Sequence, residues 1–147
     1  MNDKRQPINL NLFHHWVPLQ TRFNDVDSLG HINNSIHQQY YDIGRLNYFV
    51  DVVDEKVQWE GEVVVVAHLE IDFLHPMGLY DKARVGSRIR AFGNRSFQME
   101  QVICDENNTI FSHSTSILVG FNAQHASPTD IPHHWRDAME RFEALSQ

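Results

Sequence analysis

The chain has 147 residues, 41% of them hydrophobic, enough for one domain with a real core. Its formal charge of −7 argues against a binder of nucleic-acid backbones, which needs a net basic face, and its 11% aromatic content argues against a disordered chain. The single cysteine, Cys104, allows no intrachain disulfide, and neither a secretory apolar segment nor a membrane-length apolar run stands in the sequence, so a soluble cytoplasmic protein with no membrane partner is expected.

Residues 1 to about 14 are polar and carry Pro7, which predicts a flexible N-terminal segment on a single domain spanning 1–147. Trp16 to Phe23 alternates loosely and predicts a first strand, which Pro18 assigns to a sheet edge. From Asn33 to about Val53 there is no proline, and Ile36, Tyr40, Ile43, Asn47 and Val50 recur at helical steps, with Leu46 and Phe49 widening the stripe. That predicts a long helix, capped by Asn33 or Asn34. After a polar loop around DEKVQWEGE the period becomes two. Val63, Val65, Ala67, Leu69, Ile71 and Phe73 fall on one face, with His68, Glu70 and Asp72 on the other.

Pro76 and Gly78 mark a turn. Ala83 to Phe92 is a further strand, with Arg84, Arg88 and Arg90 on one side and Val85, Ile89 and Ala91 on the other. A tight turn at Gly93–Arg95 leads to a strand from Ser96 to Cys104, with Phe97, Met99 and Ile103 aligned. A second turn, Asp105 to Asn108, leads to a long strand from Thr109 to Phe121, completing an antiparallel meander. SPTDIP opens a last helix with Pro132 in its first turn and Trp135, Met139, Phe142 and Leu145 on one side. The expected layout is α+β: an antiparallel sheet of about five strands with the long helix over one face. The other face, or the edges, must meet water or a second subunit.

The segment RFNDVDSLGHINN, Arg22 to Asn34, precedes the long helix and concentrates two acids, a glycine, a histidine and two asparagines. A helix start carries unpaired N–H groups and a partial positive charge, which attract a carbonyl oxygen gaining negative charge. A carboxylate held beside it, Asp27, serves as base or nucleophile, and Gly30 lets the backbone approach closely or take positive φ. Together these are the parts of a device for splitting an activated ester. No G-x-S-x-G frame is present.

Across RFNDVDSLGHINNSIHQQYYDIGR, Arg22 to Arg45, the chain resembles the hotdog-fold acyl-CoA thioesterases, in particular the group that includes 4-hydroxybenzoyl-CoA thioesterase. Their pattern runs D-x-D-x-x-G-H-x-N-N and then into an aromatic-rich helix ending in A-R. IDFLHPMGLYDKARVGSRI, NRSFQMEQVI and IPHHWRDAMERFE match later family segments, so the resemblance spans nearly all of residues 16 to 145. It implies a hotdog fold, with the sheet wrapped around the long helix. It implies hydrolysis of an acyl-CoA thioester to free acid and CoA, with no cofactor. Asp27 would be the catalytic carboxylate, and the backbone N–H near Asn34 would polarise the carbonyl. It further implies a homodimer or homotetramer, with acyl and CoA sites between subunits paired edge to edge. The chain departs from the pattern at His37, where the family has Tyr or Phe, at Asp42 for Glu, at Gly44 for Ala and at Tyr80 for Gly.

Each candidate also has a structural reading. Asp27 is equally a turn-former, and Asp25 is better placed to bond turn N–H groups. His31 either meets the substrate or orients the loop, and Asn33 and Asn34 are good helix caps whatever their backbone does. His37 either faces the substrate or is a hydrogen-bonded core histidine. Arg95 and Ser96 suit a CoA phosphate at their turn. The ten histidines include no H-E-x-x-H, and adjacent His-His pairs point apart, so no metal site is expected. Two other functions remain open: a non-catalytic acyl-CoA or acyl-carrier binding module on the same fold, and an enoyl-thioester hydratase, whose spacing of acid and histidine is not found here.

Overall fold

The computed structural model describes residues 6–56 and 60–144. The expectations for residues 1–5, for the centre of the DEKVQWEGE loop and for Leu145 lie outside the described residues. Strands β1 (His15–Pro18), β2 (Glu62–Phe73), β3 (Ala83–Phe92), β4 (Ser96–Asp105) and β5 (Ile110–Asn122) form an antiparallel sheet in the order β1-β3-β4-β5-β2, with the two-residue β6 (Ser127–Pro128) beside β5. The sheet curls around helix α1 (Asn34–Tyr48), which one π turn extends through Phe49–Val53, and α2 (His133–Glu143) closes one end. This is the α+β hotdog fold. Pro18 ends β1, an edge strand, earlier than the alternation predicted. The chain then leaves the sheet and makes a 3-10 turn at Phe23–Asp25. Within the segment expected to be flexible, Leu10–Leu12 form a 3-10 turn and Phe13 is buried.

Three facings differ from the sequence pattern, two of them because of bulges. The register of β2 against β5 shifts between Val66 and His68. Val64 and Val66 therefore share a face with Leu69 and Ile71 instead of opposing them. A second bulge, between Ile89 and Ala91, turns Ala91 away from the side of Val85 and Ile89. On α1 the buried residues are His37, Tyr40, Tyr41, Gly44, Arg45 and Tyr48, whereas Ile43, Leu46 and Val50 are 41, 43 and 39% exposed. The sheet offers α1 a floor of small polar residues, Ser87, Ser112, Ser114 and Ser116, on which long tyrosines and Arg45 fit better than branched aliphatics. Gln101 ties this layer together: its Nε2 donates to Tyr41 O at 3.0 Å and Ser87 Oγ at 2.9 Å, and its Oε1 accepts from Arg45 Nη1 at 3.1 Å.

Two apolar clusters flank that polar layer. Tyr48, Ile89, Phe97, Met99, Leu118, Trp135 and Met139 pack under α2. Ile32, Tyr40, Tyr41, Met77, Val85, Ile103 and Phe111 pack under the start of α1. Gly44 lies where helix and sheet come closest: a Cβ there would sit 2.7 Å from Gln101 Nε2 and 2.9 Å from Val85 Cγ2. Alanine would gain about 1 kcal/mol of helix propensity, but overpacking a filled contact costs about 1–3 kcal/mol. Gly44→Ala is therefore expected to lower the urea midpoint, and an unchanged or raised midpoint would show that the helix can move off the sheet at no cost.

Candidate active site

The first acid of the motif is a strut. Asp25 is fully buried, and its Oδ2 accepts from the Arg22 backbone N–H at 3.0 Å and from the Tyr40 hydroxyl at 2.5 Å. Its Oδ1 accepts from Arg22 Nε and Nη2 at 3.1 and 2.9 Å, and its carbonyl accepts from the Asn33 N–H at 2.8 Å. Burial pushes this carboxyl up, but the hydrogen bonds from Tyr40 and Arg22 outweigh it and hold the group below the usual carboxylate range. Asp25→Ala would leave the Tyr40 hydroxyl, in the core, without an acceptor. The Arg22 side chain is mostly exposed and would rehydrate, so the expected loss is about 2–3 kcal/mol. Urea unfolding of Asp25→Ala, Tyr40→Phe and the double variant checks this. The double variant should lose less than the sum of the single losses, and strict additivity would mean the two groups do not act together.

The second acid is presented, not enclosed. Val26 and Ile32 bridge antiparallel, and between them Gly30 N–H donates to Asp27 O at 3.0 Å while Asp27 N–H donates to His31 O at 2.9 Å. Gly30 adopts φ +79°, and an added Cβ would meet nothing within 4 Å, so glycine serves the backbone angle here and not a close approach. Asp27 Oδ1 accepts from Leu29 N–H at 2.9 Å, closing an Asx turn, and Oδ2 has no partner among the described residues. The loop is pinned to the β2–β3 connection by Ile32 N–H donating to Met77 O at 2.7 Å.

Asn33 caps α1. Its Oδ1 accepts from Ser35 N–H at 2.9 Å and Ser35 Oγ–H at 2.8 Å. Asn34, the first helical residue, has an N–H with no acceptor among the described residues, one of the unpaired groups every helix start carries. Asp27, His31, Asn33, Asn34 and His37 line one cleft of about 380 Å³, together with Phe73, His75 and Met77. A carboxylate and a helix start thus line the same space, and that pair can activate a nucleophile and stabilise an oxyanion.

The other proposed binders sit elsewhere. Gly30 shapes the loop without lining the cleft. Ser96 pairs with Val119, seven positions along β5 from Ser112, the residue under His37, which is roughly 23 Å at ~3.3 Å per residue. Arg95, next to it, is paired with Asp130 at 3.0 Å. Within one chain, neither reaches the cleft. His75, which the sequence reading missed, does line it. Its Nδ1 lies 2.8 Å from Ile110 O, and since a carbonyl only accepts, that nitrogen carries the proton. Nothing around His75 in the sequence marks it beyond the turn at Pro76. Among the described residues, no three His, Cys, Asp or Glu side chains are arranged to hold a metal ion.

Burial lowers the His37 pKa from 6.5 to about 4, so its imidazole is neutral at neutral pH. The unfolded chain then takes up this proton before the folded one does. The resulting stability is whole above about pH 6.5, falls as the pH drops, and is lost by about pH 4. The expected change is on the order of 2–3 kcal/mol. Urea unfolding at about pH 7 and about pH 4.5 should show this slope in wild type and a shallower one in His37→Phe, and equal slopes would refute the assignment.

The family model of the thioesterase-like superfamily matches residues 21–140, and the chain belongs to that superfamily. Thioester hydrolysis is accordingly its class of chemistry. Among solved structures, a thioesterase from Thermus thermophilus, complexed with coenzyme A and Zn, is 28% identical. The alignment has a TM-score of 0.79 and covers 92% of this chain and 98% of that one. A protein of Pseudomonas aeruginosa superposes at TM-score 0.83 with 23% identity, covering 93% of this chain and 96% of that one. A 1,4-dihydroxy-2-naphthoyl-CoA thioesterase from Synechocystis superposes at 0.76 with 16% identity, covering 85% and 94%. These last two share the fold. A search of the curated proteins found no match. Among the described residues, no helix is long and apolar enough to cross a membrane.

Proposed function

We propose that the chain hydrolyses an acyl-CoA thioester to the free acid and CoA, with Asp27 as the catalytic carboxylate and the Asn34 N–H as the oxyanion donor. The observation that carries this reading is their meeting in one cleft: an Asp27 Oδ2 and an N–H at the start of a fifteen-residue helix, neither with a partner among the described residues. The thioester oxygen accepts from Asn34 N–H, where the helix dipole favours growing negative charge. Along the base route Asp27 takes a proton from water, the hydroxide adds to the carbonyl carbon, the C–S bond breaks, and the thiolate recovers the proton. Along the nucleophilic route Asp27 itself displaces the thiolate and water cleaves the resulting anhydride. Both routes use the same two groups. Asn33 holds the helix start, and His31 flanks the entrance. The coenzyme A complex of the Thermus thermophilus thioesterase supports CoA as the carrier.

A two-fold homodimer through β2 suits this site. β2 is an edge strand of twelve residues with Val65 and Val66 exposed. Antiparallel pairing of two such edges sets the Glu62 end of one strand beside the Phe73 end of the other. That would carry the Arg95–Ser96 end of one sheet toward the cleft of its partner, where Arg95 suits a CoA phosphate.

Thiol release from acyl-CoAs, short to long plus aryl, tests the reading, with a protein blank for Cys104. Turnover of any member supports it, and the best substrate describes the pocket. Binding of acyl-CoA without turnover would make the chain a carrier module, and hydration of an enoyl-CoA a hydratase. Either result would overturn the proposal.

A further inference from the structure

One wall of the cleft holds a hydrogen-bond donor whose direction the core dictates. His37 lies three residues, ~4.5 Å, into α1 from Asn34, and helical side chains lean back toward the N-terminus. It is 2% exposed, with the Phe73 ring edge-on at 5.1 Å. Its Nδ1 is 2.8 Å from Ser112 Oγ, and that same oxygen is 2.7 Å from the hydroxyl of Tyr41, which is fully buried. Among the contacts of the described residues, one arrangement gives each of these protons an acceptor. Tyr41 donates to Ser112 Oγ, and Ser112 donates to His37 Nδ1. In a neutral imidazole the proton then sits on Nε2. That nitrogen has no partner among the described residues, and His37 is one of the residues that line the cleft.

We infer that the His37 Nε2–H selects acyl groups bearing an oxygen a few bonds from the thioester carbonyl, the chemistry of 3-hydroxyacyl, 3-oxoacyl and 2-hydroxyaroyl thioesters. The inference rests on the acyl-CoA reading above. A thioester carbonyl held at Asn34 puts its neighbouring carbons beside His37. A plain alkyl chain there displaces water and leaves the N–H unpaired, whereas an acceptor oxygen satisfies it. Sites built to bond a substrate oxygen discriminate strongly against analogues that lack it.

The test compares 3-hydroxybutyryl-CoA with butyryl-CoA, and 2-hydroxybenzoyl-CoA with benzoyl-CoA, in wild type, His37→Phe and His37→Gln. In at least one pair wild type should favour the oxygenated member in kcat/KM by about 10-fold or more. The preference should collapse toward one in His37→Phe and persist in part in His37→Gln, whose amide offers an N–H. The responding pair separates the aliphatic from the aromatic source. A wild-type ratio of one or less in both pairs, or an unaltered ratio in His37→Phe, overturns the inference. If nothing is hydrolysed, the acyl-CoA reading fails by itself, and the same ratios taken from dissociation constants decide this one. Nitrogen NMR of the wild-type imidazole gives a check that needs no variant: protonated Nε2 is expected, and protonated Nδ1 overturns the relay.

Discussion

Asp27→Asn is expected to lower kcat/KM for thiol release by on the order of 10²-fold or more while changing stability by less than about 0.5 kcal/mol. The two parts of this expectation come from different atoms of one side chain. Oδ1 closes the Asx turn by accepting from Leu29 N–H at 2.9 Å, and an asparagine carbonyl can accept the same bond. The other oxygen has no partner among the described residues, and in asparagine it becomes an amide nitrogen, which neither takes a proton from water nor attacks a carbonyl. Activity is therefore lost without the fold. Thiol release under single-turnover conditions, with the urea midpoint measured on the same preparations, checks both halves. A variant as fast as wild type would remove Asp27 from the chemistry. A variant that is slow but several kcal/mol less stable would mean that the turn, not the carboxylate, had been damaged.

Asp25 and Asp27 are two residues apart, and the structural part of Asp25 in this turn was legible because it is local. A turn-forming acid, a positive-φ glycine and an Asn cap act over four or five residues, and the chain writes those parts contiguously. The meander and its turns were legible for the same reason. What the pattern misplaced depends on contacts across the sheet. A bulge at Val66–His68 inverts the facing of half of β2, although Val63 to Phe73 reads as an unbroken alternation. The buried face of α1 is set by the serine floor of β3 and β5, which lies far along the sequence. Ile43, Leu46 and Val50 lose their expected place to tyrosines whose hydroxyls find partners at Asp25, Ser112 and Glu143. His75 reaches the cleft only because β2 ends beside the start of α1, and no short spacing announces that. Arg95 and Ser96 were assigned from their shared turn and side-chain chemistry, and the topology sets them away from the cleft of their own chain.

The proposed oxyanion donor belongs to the backbone, so side-chain truncation would not remove it, but the position of Asn34 allows a cleaner substitution. Proline is at home in the first position of a helix, where its missing N–H breaks no intrahelical bond. It also restricts the residue before it to extended backbone, and Asn33 already has φ −60° and ψ 140°. Asn34→Pro should therefore fold with α1 intact and its Asn33 cap in place, while deleting the Asn34 N–H at the cleft. Losing one such donor costs about 10²- to 10³-fold in kcat, and the added ring carbon would stand where the carbonyl oxygen should sit. Asn34→Ala keeps the N–H and removes the side chain, so its loss should stay below about 10-fold, the gap between the two variants being the measure of the backbone contribution. The comparison needs only kcat for one good substrate and a far-ultraviolet circular dichroism spectrum of each variant. A proline variant as fast as wild type would place the oxyanion somewhere other than the start of α1, and an alanine variant slowed as much as a slow proline one would assign the chemistry to the Asn34 side chain.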